Sequence, residues 1–162
     1  MIFVTVGTHT DPFDRLVRGA EQLAQAGHTV VLQRGPSTVE TPNCEVHDYL
    51  SPREMARLVR DADILVTHGG PASFLGAPGV PIVVPRRHAM GEHVDDHQVK
   101  FVAHISHRAH VVSDPADLVA AVARHWEVAS QMVPAAERRT EAFAEAFGHV
   151  VEEVVRRRRS GF

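Results

Sequence analysis

The chain has 162 residues, enough for one domain with its own hydrophobic core. Apolar residues make up 44% and charged residues 23%, an ordinary globular composition, and the net charge of −3 offers no general attraction for nucleic acid. A single cysteine, Cys44, excludes an internal disulfide, and no apolar run approaches the roughly 18 residues of a membrane span. We therefore expect a soluble, cytoplasmic protein that binds no nucleic acid.

Short apolar runs alternate with amphipathic segments along the chain. The runs that predict strands are residues 2–6, 28–35, 44–50, 63–68, 80–85 and 109–112. The segments that predict helices are residues 11–27, 51–62, 94–105 and 114–126. This alternation is typical of a parallel sheet covered on both faces. The sequence thus predicts an α/β fold, a Rossmann-like doubly wound, mostly parallel sheet of about six strands.

Three of the predicted helices begin with capping signals. Asp11 followed by Pro12 suits the start of the first helix. Ser51, with Glu54 three residues later, has the spacing of a capping box at the second. Asp114, which also precedes a proline, predicts the start of the fourth.

The last segment of the chain predicts a long amphipathic helix over about 134–158. We assign residues 1–130 to a Rossmann-like domain and residues 131–162 to a C-terminal helix and basic tail of the same domain. The run Arg156 to Arg159 has two interpretations. It is either a solvated helix end, which the helix dipole favours, or a contact for anionic lipid or an acidic partner.

Glycines, hydroxyls and histidines follow several predicted strands. Gly7 and Thr8 follow the first strand, and the run His68-Gly-Gly-Pro-Ala-Ser73 follows the fourth. The carboxyl ends of parallel strands meet at one edge of a sheet, where ligands bind in such folds. The run from His68 to Ser73 is either a turn that holds an anion on its N–H groups or a tight turn with no ligand.

The segment GEHVDDHQ, residues 91–98, has three interpretations. It is a hydrogen-bonding set for a hydroxyl-rich ligand, a metal site, or a helix start with solvated charges. The chain contains no H-E-x-x-H zinc signature, no G-x-G-x-x-G, no Walker loop and no G-x-S-x-G elbow. We therefore predict no metal site and no cofactor.

Three segments are considered together, in chain order: MIFVTVGTHTDPFDRLV, HGGPASF and PIVVPRRHAMGEHVDDHQVKFV. Together they resemble the C-terminal, donor-binding half of the GT-B glycosyltransferases of family 28. The likeness is greatest to free-standing bacterial exopolysaccharide glycosyltransferase subunits. These are similar to the catalytic subunit of the two-chain enzyme that adds the second GlcNAc to the dolichol-linked precursor. The resemblance covers about residues 1–125. It implies half of a GT-B fold, a UDP-sugar donor, and a membrane-associated subunit that binds a lipid-linked saccharide acceptor.

The resemblance also implies the donor-binding residues. Gly7 and Thr8 lie beside the donor phosphates or at the floor of the cleft. The turn facing the pyrophosphate contains His68, Gly69, Gly70 and Ser73, and the donor sugar is contacted by Asp96, His97 and Gln98. The family has a glutamate for the ribose hydroxyls three residues after that serine, where this chain has Gly76. Glu92 is the carboxylate we expect to substitute for it.

The family places the catalytic base on the acceptor half, so the resemblance assigns no base to this chain. We expect the chain to bind donor and to turn over poorly without its partner. Two alternatives remain. One is a non-catalytic scaffold subunit that keeps the fold, and the other is an unrelated nucleotide-binding or metal-dependent hydrolase.

Overall fold

The computed structural model describes residues 1–75, 77 and 79–132, and for Leu75 only the backbone. Its centre is one six-stranded sheet in which all pairs of neighbouring strands are parallel. The strands are β1 (Ile2–Thr5), β2 (Val30–Gln33), β3 (Glu45–His47), β4 (Ile64–Thr67), β5 (Ile82–Val83) and β6 (His110–Val111). The predicted α/β architecture is confirmed, and the sheet is wholly rather than mostly parallel.

The central strands are buried on both faces, which explains their continuous apolar sequences. All four residues of β1 are buried, and Val4 pairs with Leu32 of β2 and Val66 of β4. Alternate side chains enter separate clusters, since Val4 lies in the largest core cluster and Phe3 in a second one. The sheet therefore has a hydrophobic layer on each face.

Six helices flank the sheet within the described part of the chain. They are α1 (Asp14–Gln25), α2 (Pro52–Asp61), α3 (Pro71–Leu75), α4 (His97–Ile105), α5 (Leu118–Ala123) and α6 (His125–Met132). Helices α1 and α5 bury Leu16 and Leu118 in the same cluster as Val4. Helix α2 contributes Leu58 to the cluster on the opposite face, beside Phe3. The fold is doubly wound, as predicted.

The predicted caps have different outcomes. The Ser51–Glu54 capping box is confirmed, with both reciprocal hydrogen bonds present. The predicted Asp11 cap is wrong, because α1 begins three residues later at Asp14. The Phe13 N–H at that end instead donates to Ser37 Oγ from another loop at 3.0 Å, a tertiary contact that satisfies the amide.

Other boundaries also differ from the sequence prediction. Helix α4 begins at His97 rather than at residue 94, and β5 pairs over only two residues. The predicted helix 114–126 is instead a 3₁₀ turn, Pro115–Asp117, followed by α5 and α6, although Asp114 caps its start by accepting from the Ala116 N–H at 3.0 Å. The predicted helix 134–158 and its basic run lie outside the described residues.

The strand order is β3-β2-β1-β4-β5-β6. The direction in which successive strands are added reverses between β1 and β4, and such a switch point opens a crevice beyond the carboxyl ends of those strands. Gly7 and His68 follow β1 and β4 and therefore lie at this crevice. Within the described part of the chain, no helix has the length and apolar character needed to cross a membrane.

Candidate functional site at the carboxyl edge of the sheet

The side chain of His68 lies between two of the predicted donor-binding glycines. A Cβ at Gly7 would be 2.4 Å from His68 Cε1, and a Cβ at Gly70 would be 2.4 Å from His68 Nε2. Gly7 also has a φ of +79°, a backbone conformation that favours glycine. The space left by these two glycines is therefore filled by an imidazole ring of the same chain. Packing accounts for both glycines, and their contact with a donor remains a prediction.

Gly69 has a separate packing reason. Its φ is +84°, and a Cβ there would be 2.7 Å from Val102 Cγ2 of α4 and 3.2 Å from Val83 Cγ1 of β5. The glycine lets α4 pack directly against the strand ends, because real Cβ atoms do not approach so closely. This turn had two interpretations, an anion-binding turn or a tight turn with no ligand, and close packing is sufficient to require both of its glycines.

His68 is held as a neutral imidazole. It is 8% exposed, and burial lowers the pKa of its side chain to about 4, with the nearby Arg86 charge acting in the same direction. Its Nδ1 lies 3.4 Å from Thr67 Oγ1. At neutral pH this ring can donate or accept a hydrogen bond but brings no positive charge to the site.

Arg86 is a site residue that the sequence analysis missed. It is completely buried, and its guanidinium donates to the carbonyl oxygens of Val6, Asp11 and Glu92, each at 2.9 Å. It also lies 4.7 Å from the centre of the Phe13 ring. These contacts join the loop after β1 to the loop after β5. The one available signal was an arginine immediately after a buried strand.

The charge of Arg86 persists at neutral pH. Burial lowers the pKa of the guanidinium to about 10, which still leaves it protonated. Its hydrogen bonds go to main-chain carbonyl groups rather than to carboxylates. A buried cation therefore lies at the base of the loop that contains Gly7 and Thr8.

Glu92, the predicted substitute carboxylate, is held within the fold. It is 6% exposed, and it accepts hydrogen bonds from Arg15 Nε at 2.8 Å, Arg15 Nη2 at 2.9 Å and the Arg87 N–H at 2.9 Å. The bidentate geometry is the strong form of an arginine–carboxylate pair. Its contact with a donor remains a prediction, and in this structure the carboxylate orders the loop after β5.

The residues predicted for the donor sugar lie at the start of α4. Gln98 is buried, and its Oε1 accepts from the Arg86 N–H at 3.4 Å. Asp96 is exposed and accepts from the His88 N–H at 2.9 Å. His97 is exposed and pairs with Asp95. The structure thus presents Asp96 and His97 to solvent and directs Gln98 inward.

The predicted hydroxyl donors lie on separate loops of this edge. Thr8 is exposed in the loop after β1, and Ser73 is half-buried in α3. Helix α3 has five residues. The position of the missing family glutamate, Gly76, is not among the described residues.

Three histidine rings form a cluster beside the loop after β1. The rings of His9 and His93 have centroids 4.3 Å apart, and those of His93 and His97 are 4.5 Å apart. His93 is 7% exposed, and burial lowers the pKa of its imidazole, with His97 and His9 acting in the same direction. The Asp95 carboxylate contacts this cluster.

Residues 1–154 match the family model described as the glycosyltransferase family 28 C-terminal domain. The chain belongs to this family. The match confirms the resemblance inferred from the motifs after β1, β4 and β5. Among curated proteins, none matches the chain.

Solved structures share the fold of this family 28 domain. The glycotransferase of kitacinnamycin superimposes with a TM-score of 0.54 and 22% identity, over 81% of this chain and 37% of that one. The calicheamicin glycosyltransferase CalG4 superimposes with a TM-score of 0.58 and 19% identity, over 96% of this chain and 43% of that one. The chain thus spans about two fifths of the length of each, in agreement with half of a GT-B fold.

Proposed function

We propose that this family 28 domain binds a UDP-sugar donor and acts as the donor-binding subunit of a glycosyltransferase. A membrane-associated partner would supply the acceptor site, and the acceptor would be a lipid-linked saccharide in polysaccharide biosynthesis. The observation that carries the proposal is the family match over residues 1–154. The geometry of the carboxyl edge supports it, because the predicted donor residues lie on loops around the switch point between β1 and β4.

Charge at this edge favours a diphosphate. Breaking the bond between the sugar and the diphosphate leaves negative charge on the departing UDP, which fixed positive groups stabilise. The buried Arg86 guanidinium lies below the loop of Gly7 and Thr8, and its bonds to carbonyl groups leave its charge unneutralised by direct pairing. We infer that this buried charge, rather than the dipole of the five-residue α3, supplies most of the attraction for the phosphates.

The specific contacts come from exposed groups of the same edge. Thr8 offers an exposed hydroxyl in the loop after β1, and Ser73 offers a half-buried one on α3. Asp96 and His97 are exposed at the start of α4 and are available to sugar hydroxyls. We assign Gln98 and Glu92 to support of the loop after β5, because both accept hydrogen bonds from its backbone.

The proposed partner rests on the resemblance of the chain to free-standing glycosyltransferase subunits. The chain spans 37% and 43% of the two glycosyltransferases with this fold. An inverting transfer needs a base that accepts the proton of the acceptor hydroxyl. We place that base on the acceptor-binding partner, which would also hold this domain at the membrane surface.

The second candidate function is a scaffold subunit that keeps the fold and has lost donor turnover. Two observations favour it. The His68 ring occupies the space at Gly7 and Gly70, and the Glu92 carboxylate is engaged by Arg15. A scaffold would keep the partner contact and show no selective response to UDP.

Calorimetric titration with UDP, UDP-sugars, ADP and GDP distinguishes the two functions. Donor binding predicts a response to UDP compounds that Thr8→Val weakens, since the variant loses one hydroxyl donor near the phosphates. Thr29→Val is the matched control, because Thr29 is exposed just before β2, at the opposite edge of the sheet. Equal heats for all nucleotides, or none for UDP, would refute donor binding.

The partner is tested by turnover. We expect the purified chain to bind donor without transferring sugar, and transfer to a lipid-linked acceptor to appear when the membrane-associated subunit is added. Rapid transfer by the purified chain alone would refute the division of labour and leave donor binding standing.

A further inference from the structure

His93, Asp95 and His97 bring together three groups that bind metal ions. They alternate along the chain in the pattern H-x-D-x-H, with His93 and Asp95 in the loop that leads into α4 and His97 as the first residue of that helix. One ligand atom from each lies within 4.8 Å of the other two. The absence of the helical H-E-x-x-H motif led to the prediction of no metal site, whereas two of these three residues lie in the loop before α4.

The separations match a metal site after small side-chain movements. Ligand atoms about 2.0–2.1 Å from a tetrahedral ion are roughly 3.3 Å apart. His93 Nδ1 lies 3.7 Å from Asp95 Oδ1, and the His97 ring already contacts the same carboxylate oxygen. Asp95 and His97 have exposed side chains, so both can rotate without disturbing the core.

The third ligand is fixed in place. His93 is buried, its ring contacts the His9 ring on one side and the His97 ring on another, and its main-chain carbonyl oxygen contacts the His88 imidazole at 3.0 Å. A ligand held by packing lowers the entropy lost when an ion binds. The site thus combines one immobile imidazole with two adjustable groups.

The chemistry of the ligands selects the ion. Two imidazoles and one carboxylate suit borderline divalent ions, above all Zn²⁺, and suit Mg²⁺ or Ca²⁺ poorly. We propose that His93, Asp95 and His97 form a Zn²⁺ site with three protein ligands and one open coordination position. The site shares His97 with the contacts proposed for the donor sugar, but zinc binding is measured without donor, so either proposal can fail without the other.

Zinc binding is measured on the full chain, purified without a polyhistidine tag, by equilibrium dialysis against Zn²⁺. We expect one tightly bound ion per chain. His97→Ala and Asp95→Asn each remove one ligand, and we expect each to weaken that binding by about ten-fold or more. Both residues are exposed, so the variants are expected to fold, which thermal unfolding without metal checks.

The matched control is His104→Ala. His104 is exposed on the same helix as His97, and its Nδ1 contacts the Lys100 carbonyl oxygen outside the cluster. We expect this variant to keep the zinc affinity of the unmodified chain. Equal loss in His97→Ala and His104→Ala would show general binding to surface histidines and overturn the proposal. Absence of a stoichiometric ion in the unmodified chain would overturn it as well.

Discussion

Replacing Gly70 with alanine tests the packing of His68 at the switch point. The new Cβ would lie 2.4 Å from His68 Nε2, whereas ordinary contacts begin at 3.4 Å, so the ring or the backbone must move by about 1 Å. Overpacking of this kind costs about 1–3 kcal/mol. We therefore expect Gly70→Ala to lower the free energy of unfolding by that amount, measured by urea denaturation.

A double-mutant cycle isolates the steric part of this effect. Gly70 immediately precedes α3 and has a flexible backbone, so the substitution also changes helix capping and chain entropy. These terms are present with or without the ring and cancel in the cycle. In a His68→Ala background the clash is gone, and we expect Gly70→Ala to cost less by about 1–3 kcal/mol.

Gly79→Ala provides the control for this cycle, because nothing lies within 4 Å of a Cβ built there. We expect no coupling between that substitution and His68→Ala. An equal cost for Gly70→Ala in both backgrounds would refute the conclusion that the glycine is required by the ring.

Three further predictions concern ionisable groups that are wholly or partly buried. Burial holds the pKa of His68 at about 4, against 6.5 in the unfolded chain, so unfolding takes up a proton between these pH values. The free energy of unfolding should therefore be highest above about pH 6.5 and fall towards pH 4, with a slope of up to about 1.4 kcal/mol per pH unit. Urea denaturation at a series of pH values should find this slope reduced in His68→Ala. Glu92→Gln leaves the Arg15 guanidinium, which is only 14% exposed, without its carboxylate partner, so urea denaturation should show a free energy of unfolding lower by about 3–5 kcal/mol. Burial and Glu21 raise the pKa of Cys44 to about 12, so a disulfide reagent at pH 8 should react about fifty-fold or more slowly than with a free thiol, and faster in Glu21→Gln.

Each of these three predictions has a result that would contradict it. Stability of the His68→Ala variant that falls with acid as steeply as that of the unmodified chain would remove His68 as a source of the slope. The exposed pair Arg57–Asp61 is the control for Glu92, and Arg57→Ala should cost no more than about 0.5 kcal/mol. Equal losses of stability in Glu92→Gln and Arg57→Ala would show that burial does not strengthen the Arg15–Glu92 pair. Rapid labelling of Cys44 at pH 8 would contradict its raised pKa.

The fold was predictable because its signals are local. Near-continuous apolar strands and amphipathic helices alternate along the chain, and this pattern alone indicates a doubly wound parallel sheet. The Ser51–Glu54 capping box was predictable for the same reason, since both of its hydrogen bonds lie within four residues. The start of α1 was not, because the Phe13 N–H is satisfied by Ser37, and sequence spacing carries no information about that contact.

The site was predictable in location but only partly in detail. The strand-end rule brought Gly7, His68 and Gln98 to one edge of the sheet, and the structure places them there. It could not show that the His68 ring fills the space beside Gly7, nor that Arg86 connects two loops. The contacts of His68 with Gly7 and of Arg86 with Val6 join residues about 60 and 80 positions apart, and a single sequence holds no trace of such pairing.

The shared guanidinium of Arg86 has a consequence for motion. Its hydrogen bonds to Val6 and to Glu92 come from a single rigid plane, so neither loop can open without breaking bonds that hold the other. Amide hydrogens in residues 6–13 and 86–92 should therefore exchange with solvent deuterium through one common opening event. A partner that displaces one of these segments would loosen the other as well.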